Sequence, residues 1–176
     1  GIEHMLSIWR KLKEKDVDNR LTFKIIGEID TDNNNHFQEY HKQVWKWIEE
    51  YGLKESIEVT GYVSDEEVSY EIQHSQIATL LYEDGLTLRR GSFLAYLAHG
   101  IPIVTSVGDD EANKLFEGHS GIIMTKNDNE IINAVLRLSG IENNEREVIR
   151  LDNIELSKCF DWKTIAEEFL KDYGIK

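Results

Sequence analysis

The sequence predicts an α/β fold in which a parallel β-sheet is covered by helices on both faces. Short apolar segments alternate with amphipathic segments of helical period about five times along the chain. The segments at residues 77–82 and 101–105 are almost entirely apolar, which is typical of strands that are buried on both faces. The sequence shows no internal repeat and no linker. A single domain of strand–helix units is therefore expected.

The N-terminal part is predicted to form two helices around one strand. Apolar residues at positions 2, 5, 6 and 9 share one face of a helix over residues 2–15. Residues 21–27 read as a strand that ends at a glycine. A polar turn follows at residues 30–35. A second amphipathic helix then runs to about residue 51, and Gly52 is its expected C-cap.

The middle of the chain alternates strands and helices at short intervals. Residues 57–59 are a short strand. Ser64 and Glu67 then have the spacing of a capping box, which predicts a helix that ends near residue 74. Residues 77–82 are the next strand, and a helix over residues 90–99 follows its loop.

The C-terminal part continues the alternation. The only proline, Pro102, prevents the preceding helix from continuing, and residues 101–105 and 121–124 are predicted strands. Asn127 and Glu130 have capping-box spacing at the start of another helix. The charged stretch at 140–158 is expected to be helical. Apolar residues at positions 162, 165, 166, 169, 170 and 173 share one face of a last helix.

Composition and charge limit the classes of function. The 176 residues are 40% hydrophobic and 10% aromatic, which is enough for one core and excludes a disordered chain. The net charge of −13 disfavours generic binding of nucleic acid or anionic membranes. The single cysteine, Cys159, excludes an intrachain disulfide and a cysteine-based zinc site. With no signal peptide and no apolar run near a membrane span of about 20 residues, we expect a cytoplasmic location.

The first residues favour a piece of a larger protein. The chain starts with Gly1 rather than Met, and the apolar face of the first helix begins at Ile2. Such a pattern is typical of a chain that starts inside a structural element. A cloning scar that ends at Met5 is the alternative interpretation.

The loop at residues 83–92 carries the strongest candidate site. It follows a buried strand and opens a helix, and Arg89 and Arg90 lie at the helix start. Backbone N–H groups at a helix N-terminus favour an anion, and guanidinium groups add charge-assisted hydrogen bonds. Two arginines there oppose the helix dipole unless an anion binds. The pattern indicates a phosphate-bearing ligand, and pairing of the arginines with nearby acids such as Asp84 is the alternative.

Other motifs carry weaker signals. Gly27 and Glu28 follow the first strand and would permit close approach of a ligand, although an ordinary turn is the favoured interpretation of this pair on its own. The glycine patterns of nicotinamide, flavin and P-loop sites are absent, and so are closely spaced metal-binding histidines. The acidic residues 109–111 are interpreted as a turn or helix start. No residue is predicted to be catalytic from its pattern.

Several stretches together carry a family resemblance. They are Gly61-Tyr-Val-Ser-Asp-Glu-Glu, Ile77-Ala-Thr-Leu-Leu-Tyr, Gly85-Leu-Thr-Leu-Arg-Arg-Gly-Ser, Ala98-His-Gly-Ile-Pro-Ile-Val and Phe160-Asp-Trp. In this order they resemble the C-terminal half of the group 1 glycosyltransferases of the GT-B fold. The stretch from Ala98 is the most specific, and residues 140–158 are the weakest part of the resemblance.

The resemblance implies a Rossmann-like parallel sheet flanked by helices, as one half of a GT-B fold. Residues 1–176 would be a single nucleotide-sugar-binding domain, with the first strand and an N-terminal acceptor domain preceding Gly1. This half would bind a nucleotide-diphosphate sugar, whose sugar passes to an acceptor with retention, as in polysaccharide biosynthesis. The acceptor domain of the same parent chain is the implied partner. Any membrane contact would come through that domain, and no nucleic acid is implied.

The resemblance also implies a donor site without a cofactor or metal, because a helix N-terminus and basic side chains stabilise the departing diphosphate. Gly61, Tyr62 and Val63 would lie near the base, and residues 84–88 near the sugar and diphosphate. The implied donor-binding residues are Gly27, Glu28, Tyr62, Val63, Asp84, Gly85, Thr87, Leu88, Arg89 and Arg90. Thr87 and Ala95 stand where the family has two glutamates, which puts the sugar contacts in doubt, and the catalytic residues are unknown.

Two other functions fit parts of the sequence. The missing glutamates suggest a catalytically degenerate module that binds its ligand without turnover. A receiver-type signalling domain would use Asp84 as phosphoacceptor, Thr105 as switch and Lys126 as partner residue. Against the receiver, the expected acidic pair after the first strand is only Glu28 and Asp30. The base, the sugar, the acceptor and the oligomeric state are not predicted by the sequence.

Overall fold

A computed structural model describes residues 1–16, 20–29 and 35–172, and it shows helices and parallel strands in alternation. The helices are α1 (Ile2–Lys15), α2 (Asn35–Glu50), α3 (Asp65–Gln73), α4 (Gly91–Ala98), α5 (Asp110–Phe116), α6 (Asp128–Ser139), α7 (Asn143–Ser157) and α8 (Trp162–Asp172). The strands are β1 (Phe23–Ile25), β2 (Ile57–Val59), β3 (Ala78–Leu80), β4 (Ile103–Ser106) and β5 (Ile122–Thr125). Asp30 and Tyr173 lie outside the described residues.

The strands are parallel, as predicted, and within the described residues they form two sheets. In the first sheet β1 pairs with β2, with Phe23 opposite Ile57. The second sheet has the order β3–β4–β5, with Ala78 opposite Ile103 and Ile103 opposite Ile122. The predicted α/β architecture of parallel strands flanked by helices is confirmed, and its division into two sheets is an addition to it.

β1 and β4 are shorter than the predicted segments because backbone N–H groups just before them bond to other partners. The Asp16 carboxylate accepts hydrogen bonds from the backbone N–H of Leu21 at 2.8 Å and of Arg20 at 3.1 Å. These bonds, that of Leu21 first, lower the pKa of Asp16. Likewise, the Ile101 N–H bonds the Tyr96 carbonyl at the end of α4, so β4 begins only at Ile103.

Two hydrophobic clusters cover the opposite faces of the strands. Ile103 and Val104 are both fully buried and are successive residues of β4, so their side chains point to opposite faces. Val104 belongs to the cluster formed with α1, α2 and α6, whereas Ile103 packs with Phe93 of α4 and Phe116 of α5. Helices therefore cover both faces of the strands, as the apolar strand segments predict.

The helix starts confirm the capping signals in the sequence. The Ser64 hydroxyl accepts from the Glu67 N–H at 3.3 Å, and the Ser64 N–H donates to the Glu67 carboxylate at 2.8 Å. The Asn127 side chain accepts from the Glu130 N–H at 3.1 Å at the start of α6. Gly52 has a φ of +66°, as the end of α2 requires.

The last helix forms as predicted, but much of its apolar face is exposed. Trp162 is 83% exposed and Phe169 is 58% exposed, although their spacing is that of a core-facing stripe. Much of this face is therefore exposed to solvent. None of the helices there is both long enough and apolar enough to cross a membrane.

Asp128 links the start of α6 to α1 and makes part of the stability depend on pH. Its carboxylate accepts from Lys11 Nζ at 2.5 Å and lies 2.8 Å from His4 Nε2. The Lys11 hydrogen bond, followed by that of His4, lowers the pKa of Asp128 below its usual 3.8. A lowered folded-state pKa stabilises the protein above the unfolded value, and this contribution is lost as the pH falls through the folded-state pKa.

We therefore expect Asp128→Asn to destabilise the protein at pH 7 by less than about 1 kcal/mol, since the pair is partly exposed. The difference from wild type should shrink below about pH 4. Urea unfolding at pH 7 and pH 3 measures both values. Asp110→Asn is the matched control, because Asp110 also lies in the first turn of a helix and makes no ion pair with Lys11 or His4. An equal pH effect in both variants would contradict the role of the ion pair.

Candidate functional site

The candidate site lies in the loops at the carboxyl ends of the parallel strands. In parallel α/β sheets these loops meet at one edge, where ligands bind. Here the loop from β3 to α4 covers residues 81–90, and the loop from β4 to α5 covers residues 107–109. The first sheet contributes Gly27, after β1, and Gly61, after β2.

Buried hydroxyl groups hold the ends of β3, β4 and β5 in register. Thr105 Oγ1 donates to the Leu80 carbonyl at 2.8 Å, and Thr125 Oγ1 donates to the Thr105 carbonyl at 2.8 Å. The Tyr82 N–H donates to Ser106 Oγ at 3.0 Å. Each hydroxyl satisfies a backbone group where the regular ladder ends, so the loops start from fixed points. The Thr105 hydroxyl is thereby engaged in the sheet, which disfavours its role as a receiver switch.

The loop after β3 is anchored to the loop after β4. Leu86 is fully buried, its N–H bonds the Val107 carbonyl at 3.4 Å, and its carbonyl accepts from the Asp109 N–H at 3.0 Å. Gly85 has a φ of +82°, and a Cβ there would lie 2.7 Å from the Val107 carbonyl oxygen. Only glycine fits this turn and its close approach. The sequence-predicted Gly85 therefore has a structural role that places the rest of the loop.

Arg90 stands at the entrance of α4 and is held on two sides. Its guanidinium lies over the Tyr82 ring, with Cζ 4.7 Å from the ring centroid, and one terminal nitrogen donates to the Asp84 carboxylate. Its Nε is buried and has no hydrogen-bond partner in the described residues. A stacked guanidinium keeps its orientation when one of its five donors is engaged. The pairing with Asp84 thus forms, and it leaves donors available for an anion.

Tyr82 and Ser92 complete the support of Arg90. The Tyr82 hydroxyl lies 2.8 Å from Ser92 Oγ in the first turn of α4. Burial raises the pKa of Tyr82, against the opposing effects of the Ser92 hydroxyl, the Arg90 charge and the Phe93 backbone N–H, so the phenol stays neutral at physiological pH. Sequence reasoning did not assign either residue to the site. The available signal was the aromatic residue at the end of an apolar strand, followed by a helix start without a capping acid.

The start of α4 differs chemically from the other helix starts near this edge. Its N-cap is Arg90, which makes no side-chain capping hydrogen bond, and its first turn contains no acidic residue. By contrast, Asp109 caps α5 by accepting from the Ala112 N–H at 2.8 Å, as the acidic turn predicted. The first amides of a helix need acceptors. At α4 the arrangement of amides and a guanidinium favours an external anion.

Two predicted glycines come together in the first sheet. Gly27 and Gly61 form an isolated antiparallel bridge, and the Gly27 N–H donates to Thr60 Oγ1 at 3.0 Å. The residue after Gly61 is Tyr62, whose side chain is 86% exposed. A flat aromatic ring at a loop tip provides a surface on which a planar ligand group stacks.

The other residues of the predicted site lie in the loop that carries Arg90 or next to Gly27 and Gly61. Thr87 accepts the Arg90 N–H through its carbonyl at 3.2 Å, and Thr87 and Leu88 are half-buried. Arg89 and Glu28 are exposed, and Val63 is half-buried beside Tyr62. The structure thus brings Asp84 and Arg90 into contact and joins Gly27 to Gly61. The described residues contain no group of three or more His, Cys, Asp or Glu side chains arranged to hold a metal ion.

Comparisons with known proteins agree with this architecture. Residues 1–140 match the family model "Glycosyl transferases group 1". Sucrose-phosphate synthase from Thermosynechococcus elongatus is structurally similar, with a TM-score of 0.74 at 16% identity over 98% of this chain and 41% of that chain. An E. coli structure described as trehalose-6-phosphate bound with UDP-2-fluoro glucose has a TM-score of 0.74 at 16% identity, over 98% of this chain and 40% of that one.

A third structure, of the trehalose-6-phosphate synthase OtsA, has a TM-score of 0.73 at 16% identity, over 98% of this chain and 40% of that chain. The chain therefore spans about two fifths of the length of these structural relatives. No curated protein sequence matches it significantly.

Proposed function

Since this chain belongs to the group 1 glycosyltransferases, we propose that it binds a nucleotide-diphosphate sugar as the donor half of a transferase. The sugar passes to an acceptor held by an N-terminal domain of the same parent chain. The observation that carries this proposal is the start of α4, where a half-buried Arg90, stacked on Tyr82, is the N-cap and makes no side-chain capping hydrogen bond. One similar structure holds UDP-2-fluoro glucose, which supports a donor of this class.

The proposed chemistry is stabilisation of the departing diphosphate. Cleavage of the bond between sugar and phosphate leaves additional negative charge on the diphosphate oxygens. Amides at the N-terminus of α4 and the Arg90 guanidinium oppose that charge without moving, because the loop anchor at Leu86 and the Tyr82 ring already hold them. Arg89 is exposed and adds a longer-range attraction. No metal or cofactor is required for this role, and the sugar is transferred with retention at its anomeric carbon.

Asp84 restrains Arg90 before the donor binds. Its side chain is 75% exposed, so solvent and an incoming phosphate both reach the ion pair. An exposed ion pair is weak, and a diphosphate competes for the guanidinium with more negative charge. Gly85 and residues 87–88 then lie beside the sugar and diphosphate.

The base is proposed to rest at the first sheet. Tyr62 is exposed beside the paired glycines Gly27 and Gly61, with Val63 next to it and Glu28 near the same edge. Glycines at both positions let the backbone approach the ligand closely. Stacking on an aromatic ring contributes about 1–3 kcal/mol per base and tolerates different bases.

A catalytically degenerate binding module is the second candidate function. Thr87 and Ala95 occupy the positions of the two family glutamates, so neither carboxylate is available to the sugar. Such a module would bind the donor and release it unchanged. An assay of the intact parent protein for transfer distinguishes the two functions, because sustained turnover is incompatible with the degenerate module.

The partner domain is supported by the exposed face of α8. Trp162 and Leu170 present exposed apolar area, and the chain spans about two fifths of its structural relatives. We assign this face to contact with the acceptor domain. Closure of two halves over the donor excludes water and brings the acceptor to the sugar. A cytoplasmic role in polysaccharide biosynthesis is the setting that we propose.

A thermal-shift and calorimetric panel of UDP-, GDP- and ADP-sugars tests donor binding. We expect at least one of them to stabilise the folded chain by mass action, while the free sugars do not. Tyr62→Ala should weaken binding of that nucleotide sugar about tenfold, in line with the loss of one stacking contact, and leave binding of inorganic pyrophosphate unchanged. Tyr70→Ala, at another exposed tyrosine, is the control. Absence of any shift across the panel would contradict the proposed donor site.

A further inference from the structure

A serine and a histidine form a close pair at the end of α4 that lies away from Arg90. Ser69 belongs to α3 and His99 is the C-cap of α4, and Ser69 Oγ lies 2.7 Å from His99 Nε2. Helix α4 has 8 residues, so its C-cap is about 12 Å from its N-cap along the helix axis. The proposed donor binding uses neither residue. A hydroxyl within hydrogen-bond distance of an imidazole is the arrangement of an activated nucleophile.

The second ring nitrogen of His99 determines which nitrogen carries the proton. His99 Nδ1 lies 2.7 Å from the Ala95 carbonyl oxygen. A carbonyl oxygen only accepts hydrogen bonds, so Nδ1 is the protonated nitrogen. In the neutral ring Nε2 is then an acceptor, and the Ser69 hydroxyl donates to it. The lone pair of a base is therefore directed at the proton of the hydroxyl, and a third group orients that base.

The end of α4 favours the charge that His99 gains when it accepts a proton. A cation is stabilised near the C-terminus of a helix, where the last carbonyl groups lie. The His99 backbone N–H bonds the Ala95 carbonyl at 3.2 Å, so backbone and ring are both held against the last turn. Ser69 and His99 are half-buried, which leaves the hydroxyl within reach of a small molecule from solvent. The pair is thus both oriented and accessible.

Gln73 places a second hydrogen-bond donor beside the same hydroxyl. It follows Ser69 by one turn of α3, and its Nε2 donates to Ser69 Oγ at 3.1 Å. A side-chain amide carries two N–H groups, and one of them is enough to hold Ser69. Amide donors next to a nucleophile stabilise the oxyanion that forms during acyl transfer. Gln73 is exposed, so this donor lies on the side from which a substrate approaches.

We propose that Ser69 is a nucleophile for small activated esters, with His99 as general base and Gln73 as oxyanion donor. Ser69 Oγ attacks the ester carbonyl carbon while its proton passes to His99 Nε2. The second Gln73 N–H donates to the oxyanion of the tetrahedral adduct. The bond to the leaving alcohol then breaks, and the alcohol takes the proton from His99.

The acyl group remains on Ser69 until water removes it. Water gives a proton to His99 Nε2 and attacks the acyl carbon. The Ser69 oxygen leaves as the hydroxyl when the imidazole returns that proton, and a carboxylic acid is released. Every atom and proton of the ester and the water is accounted for in the alcohol and the acid. The reaction needs no nucleotide sugar, so its outcome is independent of donor binding.

Covalent labelling of this chain with a fluorophosphonate tests the proposal. Attack of Ser69 Oγ on phosphorus expels fluoride and leaves a stable phosphonyl-serine, which peptide mass mapping locates. We expect the label at Ser69 and at least tenfold slower labelling in His99→Ala, because a positioned general base contributes about 10²–10⁴-fold. Gln73→Ala should also slow labelling at least tenfold, because one oxyanion donor contributes about 10²–10³-fold.

His74→Ala is the matched control for His99→Ala. His74 is the C-cap of α3, and its Nδ1 lies 2.7 Å from the carbonyl four residues earlier, that of Tyr70. Among the described residues its ring has no serine hydroxyl as a partner. Labelling of this variant should match wild type. Ser75, whose hydroxyl donates to the Glu71 carbonyl at 2.9 Å, is the internal reference for a serine without a base.

Two outcomes of the labelling would overturn the proposal. One is equal labelling of Ser69 and Ser75, and the other is an equal rate in His99→Ala and His74→Ala. If His99→Ala does not fold, Ser69→Cys replaces it. Its thiol beside the imidazole should react with iodoacetamide at least tenfold faster than the exposed Cys159 of the same chain. Equal reactivity of the two thiols would also overturn the proposal.

Discussion

Arg90→Ala is expected to weaken binding of the nucleoside diphosphate selected by the donor panel by at least tenfold. The guanidinium is already held over the Tyr82 ring, so it meets a phosphate oxygen with little loss of side-chain freedom. A hydrogen bond to a charged group contributes about 1.5–3 kcal/mol. That range corresponds to a factor of about 10 to 150 in the dissociation constant.

Matched variants separate the specific role of Arg90 from its charge. Arg150→Ala removes the same side chain from α7, where its partner is Glu147, and should leave binding within about twofold of wild type. Arg90→Lys should bind more tightly than Arg90→Ala but more weakly than wild type. A lysine ammonium cannot stack on Tyr82 or donate two parallel hydrogen bonds to a phosphate as a guanidinium does. Arg89→Ala should have a smaller effect that decreases as salt rises, since Arg89 is exposed. Equal affinities of Arg90→Ala and Arg150→Ala would remove the basis for the diphosphate site.

Local chemistry made much of the fold predictable from the sequence. The capping pairs Ser64–Glu67 and Asn127–Glu130 act within one helical turn, and the structure contains both. The continuous apolar run in β4 predicts burial on both faces, and Ile103 and Val104 are fully buried. A sequence pattern whose interactions lie within a few residues predicts the same local structure in the folded chain.

Features that depend on distant residues were not predictable in this way. The division into two sheets depends on which strand edges meet, and the apolar pattern of β1 and β3 is the same whether an edge is paired or free. The period of α8 predicts a buried face, yet Trp162 is 83% exposed, because periodicity identifies the apolar face and not what covers it.

The candidate site also contains residues that a local sequence pattern predicts and residues that it does not. Arg90 and the α4 start are visible in the sequence because a helix N-terminus with arginines is a local pattern. The stacking of Arg90 on Tyr82, eight residues away, depends on the turn at Gly85 and on its approach to Val107. Neither the stack nor the approach has a sequence pattern, so Tyr82 and Ser92 entered the site only with the structure.

Leu86→Ala should destabilise the protein by about 2–5 kcal/mol, the usual cost of truncating a fully buried leucine. Leu86 has no exposed surface, and it packs in the same cluster as Phe93 and Phe116. Its backbone also bonds to Val107 and Asp109. The buried side chain and these backbone bonds together fix the loop that carries Arg90.

Leu151→Ala deletes the same atoms from a side chain that is 53% exposed and should cost below about 1 kcal/mol. Urea unfolding of both variants gives the comparison, with Leu86→Met expected to recover most of the loss because it preserves volume. Similar costs for Leu86→Ala and Leu151→Ala would mean that the loop is not anchored through this side chain.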